Sequence, residues 1–178
     1  MERVIAVFGA SRSTPGDPHY AEGEHCGRLL AEAGFTVATG GYGGTMEAAS
    51  KGAREAGGRV VGVTAPSVFP ARSGPNAHLT SETRADTLME RIAVLVEGSD
   101  GAIALWGSLG TACELLVAWN LSYVAPLSGM ARKPIIAVGD PWRLLVPRLE
   151  ELLETERGLV TVVEDVRSAI DRLAALVE

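Results

Sequence analysis

The chain has 178 residues, 47% of them hydrophobic and 21% charged, the profile of an ordinary globular domain long enough to bury one core. Its 16 Lys+Arg against 22 Asp+Glu leave a formal net charge of −6, which excludes a general nucleic-acid binder. No apolar stretch approaches the ~18 residues of a membrane span. Met1-Glu2-Arg3 runs directly into the short apolar segment Val4-Ile5-Ala6-Val7-Phe8, without the core or cleavage site of a signal peptide, so a cytoplasmic protein with no membrane partner is expected.

Taken in chain order, apolar runs and helical stretches alternate. Residues 4–8 are a continuous apolar run, as in a strand buried on both faces. Residues 11–18 are a loop rich in Ser, Pro and Gly. A helix is predicted over 20–33, closed by Gly34. A strand over 35–38 leads into the turn Gly40-Gly41-Tyr42-Gly43-Gly44-Thr45, then a helix over 46–56 and a strand over 59–64. Residues 65–80 hold Pro66, Pro70, Pro75 and Gly74 and are predicted to be a long loop, a candidate lid or dimer arm. Ser81-Glu82-Thr83-Arg84 offers capping chemistry for a helix reaching Glu97. A strand over 101–105 then feeds a second turn, Gly107-Ser108-Leu109-Gly110-Thr111, and a helix over 111–123. A strand over 134–138, a helix over 142–154, a strand over 159–163 and a helix over 166–177 complete the pattern.

This alternation predicts a single α/β domain over 1–178: a three-layer, Rossmann-like open parallel sheet of about six strands or more, with helices on both faces. Right-handed crossovers place every strand C-terminus at one edge. Both glycine turns, the loop carrying Ser11 and the 65–80 loop open there.

A strand that enters a helix through a glycine turn leaves backbone N–H groups at a positive helix end, which suits a phosphate. Two such turns suggest a nucleotide or another phosphorylated ligand. Four glycines in the first turn exceed what a tight connection needs, although a purely structural turn stays open. The spacing is not that of the dinucleotide fingerprint. In the second turn, Glu114 follows Thr111 by three residues. It either faces the bound anion, where a carboxylate implies chemistry, or closes a capping box on Thr111. Arg91 lies beside the apolar stripe Leu88, Ile92 and Leu95, positioned for a site or for solvent.

Taken together, these stretches resemble the LONELY GUY (LOG) family of phosphoribohydrolases, long described as lysine decarboxylases. The opening VFGASRSTPGDPHY is similar to the family's first strand and substrate loop. GGYGGTMEAASKGAREAGGRVVGV is similar to its glycine block and following strand, MERI to its M-x-E-R-K, and WGSLGTACEL to its P-G-G-x-G-T-x-x-E-L. The resemblance implies a catalytic pair, Arg91 and Glu114. It also implies phosphate and nucleotide contacts from Gly107, Ser108, Leu109, Gly110 and Thr111, with Gly40, Gly41, Gly44, Met46 and Ser11 completing the set. Three positions depart from the pattern. Trp106-Gly107-Ser108 replaces Pro-Gly-Gly, Ile92 replaces a lysine, and Glu47 replaces a small residue.

The implied activity is hydrolysis of the N-glycosidic bond of AMP or a cytokinin-type nucleotide, releasing free base and ribose 5-phosphate. The alternative is a binding module of the same superfamily, similar to the molybdenum-cofactor carriers, which hold a phosphorylated pterin without turnover. A pyridoxal-phosphate decarboxylase would need a Schiff-base lysine. The only lysines are Lys51, within a predicted helix, and Lys133, at the opposite sheet edge. No cofactor is expected, and no metal, since His19, His25 and His78 lack ligand spacing. Cys26 and Cys113 are expected to be free thiols. The resemblance further implies a homodimer or homotetramer. The apolar helix around Leu115, Leu116, Val117, Trp119, Leu121 and Tyr123 is either such an interface or a well-buried core helix.

Overall fold

Seven short segments become the strands of one sheet in the computed structural model, which describes residues 3–177. They are β1 (Val4–Phe8), β2 (Thr36–Thr39), β3 (Val60–Thr64), β4 (Ser81–Arg84), β5 (Gly101–Ala104), β6 (Ile135–Val138) and β7 (Val160–Val163). The order is β4-β3-β2-β1-β5-β6-β7, and every adjacent pair is parallel. The connecting helices are α1 (Pro18–Glu32), α2 (Thr45–Glu55), α3 (Leu88–Glu97), α4 (Leu109–Val124), α5 (Trp142–Leu152) and α6 (Val166–Val177), with a 3-10 turn at Ala125–Ser128.

The two-residue period of a strand divides the core into two layers. Ile5 and Val7 of β1, Ile103 of β5 and Ile136 of β6 pack with Leu29 and Leu30 of α1 and Leu173 of α6. Ala6 and Phe8, Ala102 and Ala104, and Ile135 and Ala137 face the other way, toward Leu95 of α3, Leu115 and Trp119 of α4, and Trp142 of α5. The Trp142 indole is buried and donates its N–H to the Leu105 carbonyl at 3.0 Å, so its polar edge is satisfied.

From β1 the chain steps outward through β2, β3 and β4, then returns to place β5 on the other flank of β1. The loops leaving β1 and β5 therefore diverge and open a crevice at the strand C-termini, where ligands of open α/β sheets bind.

The predicted helix start at residues 81–84 is corrected. Those residues form edge strand β4, paired with β3 from Val61–Ser81 to Thr64–Arg84. An edge strand with exposed polar side chains carries no apolar run, so its local pattern resembles capping chemistry. The cap of α3 is Thr87, whose hydroxyl accepts from the Glu90 N–H at 3.1 Å, while Glu90 accepts from the Asp86 N–H at 2.8 Å. Helix α4 begins at Leu109, inside the glycine turn, with Ser108 as its extended N-cap residue.

Helices α1 and α2 touch backbone to backbone. A Cβ at Gly27 would overlap the Ala49 carbonyl, and one at Gly52 would overlap the Glu24 carbonyl. This contact fixes α2, and with it the end of β2. Gly27→Val is expected to destabilise the protein by about 3 kcal/mol, the upper range for overpacking. The loss should appear as a lower denaturation midpoint at unchanged m-value.

Candidate functional site

The second glycine turn leaves β5 and enters α4 with its polar groups unspent. Ser108 is extended, and its side chain makes no capping bond. The first-turn N–H groups of a helix lack intrahelical acceptors by construction. Thr111 is buried, and among the described residues its Oγ1 has no hydrogen-bond partner. Gly107 packs directly over that hydroxyl, where any Cβ would collide with it. A buried hydroxyl without a partner costs roughly 1–3 kcal/mol, and an acceptor from a ligand would recover it.

One helical turn further, Glu114 and Arg91 face each other across the crevice. Both are buried, 8% and 5% exposed, and Arg91 Nη1 lies 3.4 Å from Glu114 Oε1. Arg91 is held from three more sides. Its Nε donates to the Val63 carbonyl at 2.8 Å and its Nη2 to the Gly40 carbonyl at 2.9 Å, with Met46 Sδ at 3.8 Å. Its guanidinium also sits 5.8 Å from the Tyr42 ring centroid and 5.7 Å from that of Phe69. Burial pushes the Glu114 carboxyl up to about 7; the Arg91 charge and hydrogen bond pull the other way without cancelling it. Glu114 is therefore poised between acid and carboxylate near neutrality. It closes no capping box, since its hydrogen-bond partner is Arg91.

The first glycine turn has different work. Its Gly40 carbonyl receives Arg91. Gly41, at φ +75°, packs against Thr64 and Gly62, and Gly44, at φ +76°, against the Ala10–Ser11 backbone. The Thr45 N–H at the start of α2 already donates to the Ala10 carbonyl at 2.8 Å, and its hydroxyl meets Ser13 at 3.0 Å. The 65–80 loop is tied to this turn. Tyr42 Oη accepts from the Ala65 N–H at 2.8 Å, the Asn76 N–H donates to the Gly41 carbonyl at 2.8 Å, and Asn76 Nδ2 donates to the Tyr42 carbonyl at 3.2 Å.

The resulting cleft encloses about 390 Å³. Of the residues anticipated from sequence, Ser11, Met46, Arg91, Ser108, Leu109, Gly110, Thr111 and Glu114 line it. Gly40, Gly44 and Gly107 do not line it but pack against residues that do, Arg91 and Met46, Ser11, and Thr111 respectively, whereas Gly41 packs on Thr64 and Gly62 outside the lining. Gly9, Phe69, Arg72, Leu88, Ile92 and Cys113 also line it and were not anticipated as site residues. Ile92 belongs to a recognised apolar stripe, whereas Phe69 and Arg72 sit in a loop without periodicity. Trp106 is neither core nor cleft wall. It is 38% exposed and stacks on His19, with centroids 4.1 Å apart and planes at 7°, joining the first turn of α1 to the start of the second glycine turn. Lys51 pairs with Glu24 and Glu55, and Lys133 donates to the Val96 and Glu97 carbonyls, so neither lysine reaches the cleft. Among the described residues no helix is long and apolar enough to cross a membrane.

Comparison with known proteins extends these observations. The SLOG cluster4 family matches residues 2–169. A cytokinin riboside 5'-monophosphate phosphoribohydrolase of Mycobacterium marinum is 33% identical over 175 residues, covering 96% of this chain and 86% of that protein. One from Mycobacterium tuberculosis is 33% identical over 140 residues, covering 78% and 71%. Among solved structures, the molybdenum cofactor binding protein of Rippkaea orientalis shares the fold at TM-score 0.81 and 24% identity, covering 100% of this chain and 99% of that one. The Moco carrier protein of Chlamydomonas reinhardtii aligns at TM-score 0.74 and 26% identity over 99% and 98%. With a family match along nearly the whole chain, and relatives that bear out the resemblance in its motifs, this protein belongs to the SLOG cluster4 family of LOG-type proteins.

Proposed function

We propose that the protein is a nucleoside 5′-monophosphate phosphoribohydrolase, cleaving the N-glycosidic bond of a purine nucleotide such as AMP or a cytokinin-type nucleotide to free base and ribose 5-phosphate. The observation that carries this reading is the buried Arg91–Glu114 pair placed one turn beyond an anion-receptive helix end. The 5′-phosphate docks on the α4 N-terminus, taking N–H groups of the second turn and the Thr111 hydroxyl. That fixes the ribose beside Glu114. As the bond from C1′ to the base nitrogen breaks, its electron pair leaves with the base and positive charge develops on the ribosyl ring. Ionised Glu114 stabilises that charge and accepts a proton from the water that adds to C1′. The departing base regains a proton, so water is divided between the two products. Arg91, with its other donors anchored on Val63 and Gly40, orients the carboxylate. The proposed ligand-bearing unit is an oligomer, supported by the exposed apolar side chains Leu109, Leu116 and Tyr123 along α4. Light scattering giving the mass of a single 18.6 kDa chain would remove that part of the reading.

The second reading, a non-catalytic carrier of a phosphorylated pterin cofactor, is favoured by the likeness to the Chlamydomonas carrier over almost its whole length. The second turn would serve either ligand; the carboxylate separates them. Glu114→Gln is expected to lower base release from AMP or IMP by about 10²–10⁴-fold, the usual range for a lost acid-base group. Nucleotide affinity should change only a few-fold. Undiminished release in the variant sinks the catalytic assignment, and absent release in the parent favours the carrier.

Glu114 also imposes a pH dependence. In the unfolded chain it loses its proton near 4.5, but in the folded protein only near 7. Between these values the folded state binds more protons, so stability falls as pH rises through this window, by on the order of 3 kcal/mol in total. Thermal melts should show that slope in the parent and a flatter one in Glu114→Gln. Base release should rise as pH passes through about 7, where the folded-state carboxylate ionises.

Thr111→Val replaces the orphaned hydroxyl with a methyl group of similar size. The expected outcome is opposite in sign for stability and for binding. The ligand-free protein should melt at the same or a higher temperature, while AMP affinity falls by about tenfold, the value of one hydrogen bond to a charged group. A loss of stability with unchanged affinity would show that Thr111 does not meet the ligand.

A further inference from the structure

Two arginines reach the cleft, and they differ in what remains of their hydrogen-bonding capacity. Arg91 donates to Val63, Gly40 and Glu114, so little of its fork is free. Arg72, from the 65–80 loop, lies 4.5 Å over the Tyr42 ring and 4.3 Å over the Phe69 ring. Among the described residues no acceptor or carboxylate meets its guanidinium. Glu82, which borders the pocket on the far side of Arg72, accepts from the Thr64 hydroxyl at 2.6 Å and from Arg84 at 3.2 Å instead. The loop is folded to present this group: the Phe69 N–H donates to the Ala65 carbonyl and the Arg72 N–H to the Phe69 carbonyl, both at 3.1 Å. A guanidinium stacked on aromatic faces keeps its N–H edge free for a bidentate acceptor.

Its place along the cleft follows from the contacts. The second turn leads to Glu114, Glu114 to Arg91, Arg91 to the Tyr42–Phe69 pair, and that pair to Arg72. With phosphate on the turn and the glycosidic bond at Glu114, Arg72 falls on the side of the base. A guanidinium offers donors only. A 6-oxopurine presents two acceptors along one edge, O6 and N7, which match the fork. Adenine presents N7 beside an N6 donor, which opposes it.

Resting on the nucleotide reading above and narrowing it, we infer that Arg72 is a specificity-determining residue that reads the base edge, so that among purine nucleotides the cleft takes 6-oxopurine nucleotides, of the IMP and GMP type, in preference to 6-aminopurine nucleotides, AMP and its cytokinin-type relatives, which remain weaker ligands. The Tyr42 and Phe69 rings hold the fork in place, and the tie between the 65–80 loop and the first glycine turn sets its distance from Glu114.

Calorimetric titration of IMP and AMP into the parent, Arg72→Gln and Arg72→Ala, with base release followed in parallel, tests this. The parent should bind IMP about tenfold more tightly than AMP, the discrimination of one bidentate pair. Arg72→Ala should bring the two affinities within about twofold. Arg72→Gln should reverse the order, because a glutamine amide pairs with adenine N6 and N7. Each ratio is internal to one variant, so a general weakening does not mimic it, and the parent's ratio is informative by itself should a variant fail to fold. A parent ratio near one or favouring AMP overturns the inference. So does a ratio that neither substitution moves, as when both nucleotides weaken equally. If the ratio shifts as expected but no base is released, base reading by Arg72 stands and the hydrolase reading falls.

Discussion

The site depends on burying one guanidinium. Arg91 sits on α3, yet its donors go to Val63 at the end of β3, to Gly40 just past β2 and to Glu114 on α4. Four elements from both halves of the sheet thus converge on one cation. An isolated charge of this kind is untenable in an apolar crevice. It is tolerated because two backbone carbonyls and a carboxylate surround it and two aromatic faces lie within reach. The same crowding desolvates Glu114 and moves its proton affinity toward neutrality. The structural requirement of the arginine and the chemical character of the glutamate are one arrangement. Removing either would leave the other buried without its counterpart, a far costlier change than losing a surface pair.

The two glycine turns show how similar sequence serves different ends. In the first, glycine is needed because other chain segments come too close: a Cβ on Gly40 would occupy the space of the Arg91 guanidinium, and one on Gly44 that of the Ala10 carbonyl. The turn's own helix start is already occupied, the Thr45 N–H going to Ala10. In the second, Gly107 makes room for Thr111, whose hydroxyl is left unpaired, and Ser108 caps nothing. The first turn is a bracket that positions Arg91 and the 65–80 loop. The second keeps its polar groups open toward the cleft, as the proposed phosphate receptor requires. Replacement of a second glycine by Ser108 is accommodated because that residue is exposed and extended at the cleft wall.

Much of the fold was legible because parallel strands buried on both faces read as apolar runs, as the five inner strands do, and because edge strand β7 still carries the apolar Val160, Val162 and Val163. The seventh, β4, was missed because an edge strand facing solvent has no such signature. The long loop was recognised from its prolines, but its contents were not, since Phe69 and Arg72 reach the cleft only after the chain folds back on Ala65. The pairing of Arg91 with Glu114 was suggested by resemblance alone. Periodicity left Arg91 between cleft and solvent, and only the sheet order, which brings the ends of β2 and β3 beside α3 and α4, decides for burial. Trp106 shows the same limit from the other side. Its half-exposed stack on His19 joins residues 87 positions apart in sequence, a contact no local pattern encodes.

Charge explains why one scaffold suits both a hydrolase and a carrier. The protein carries a formal net charge of −6, yet its cleft gathers Arg72, Arg91 and an open helix end around a single carboxyl that is half protonated near pH 7. Such a cleft attracts an anion whatever follows, which is all that carriage requires. Catalysis needs something more specific: a carboxylate that is ionised when the substrate is bound, although the incoming phosphate repels it. Arg91 supplies the opposing field at 3.4 Å, and its anchoring on Val63 and Gly40 prevents it from swinging to the phosphate instead. An arginine free to follow the ligand would strengthen binding at the expense of the carboxylate. One tethered to the backbone can serve the carboxylate, and in the proposed reading recognition of the ligand then falls to the second turn and to Arg72.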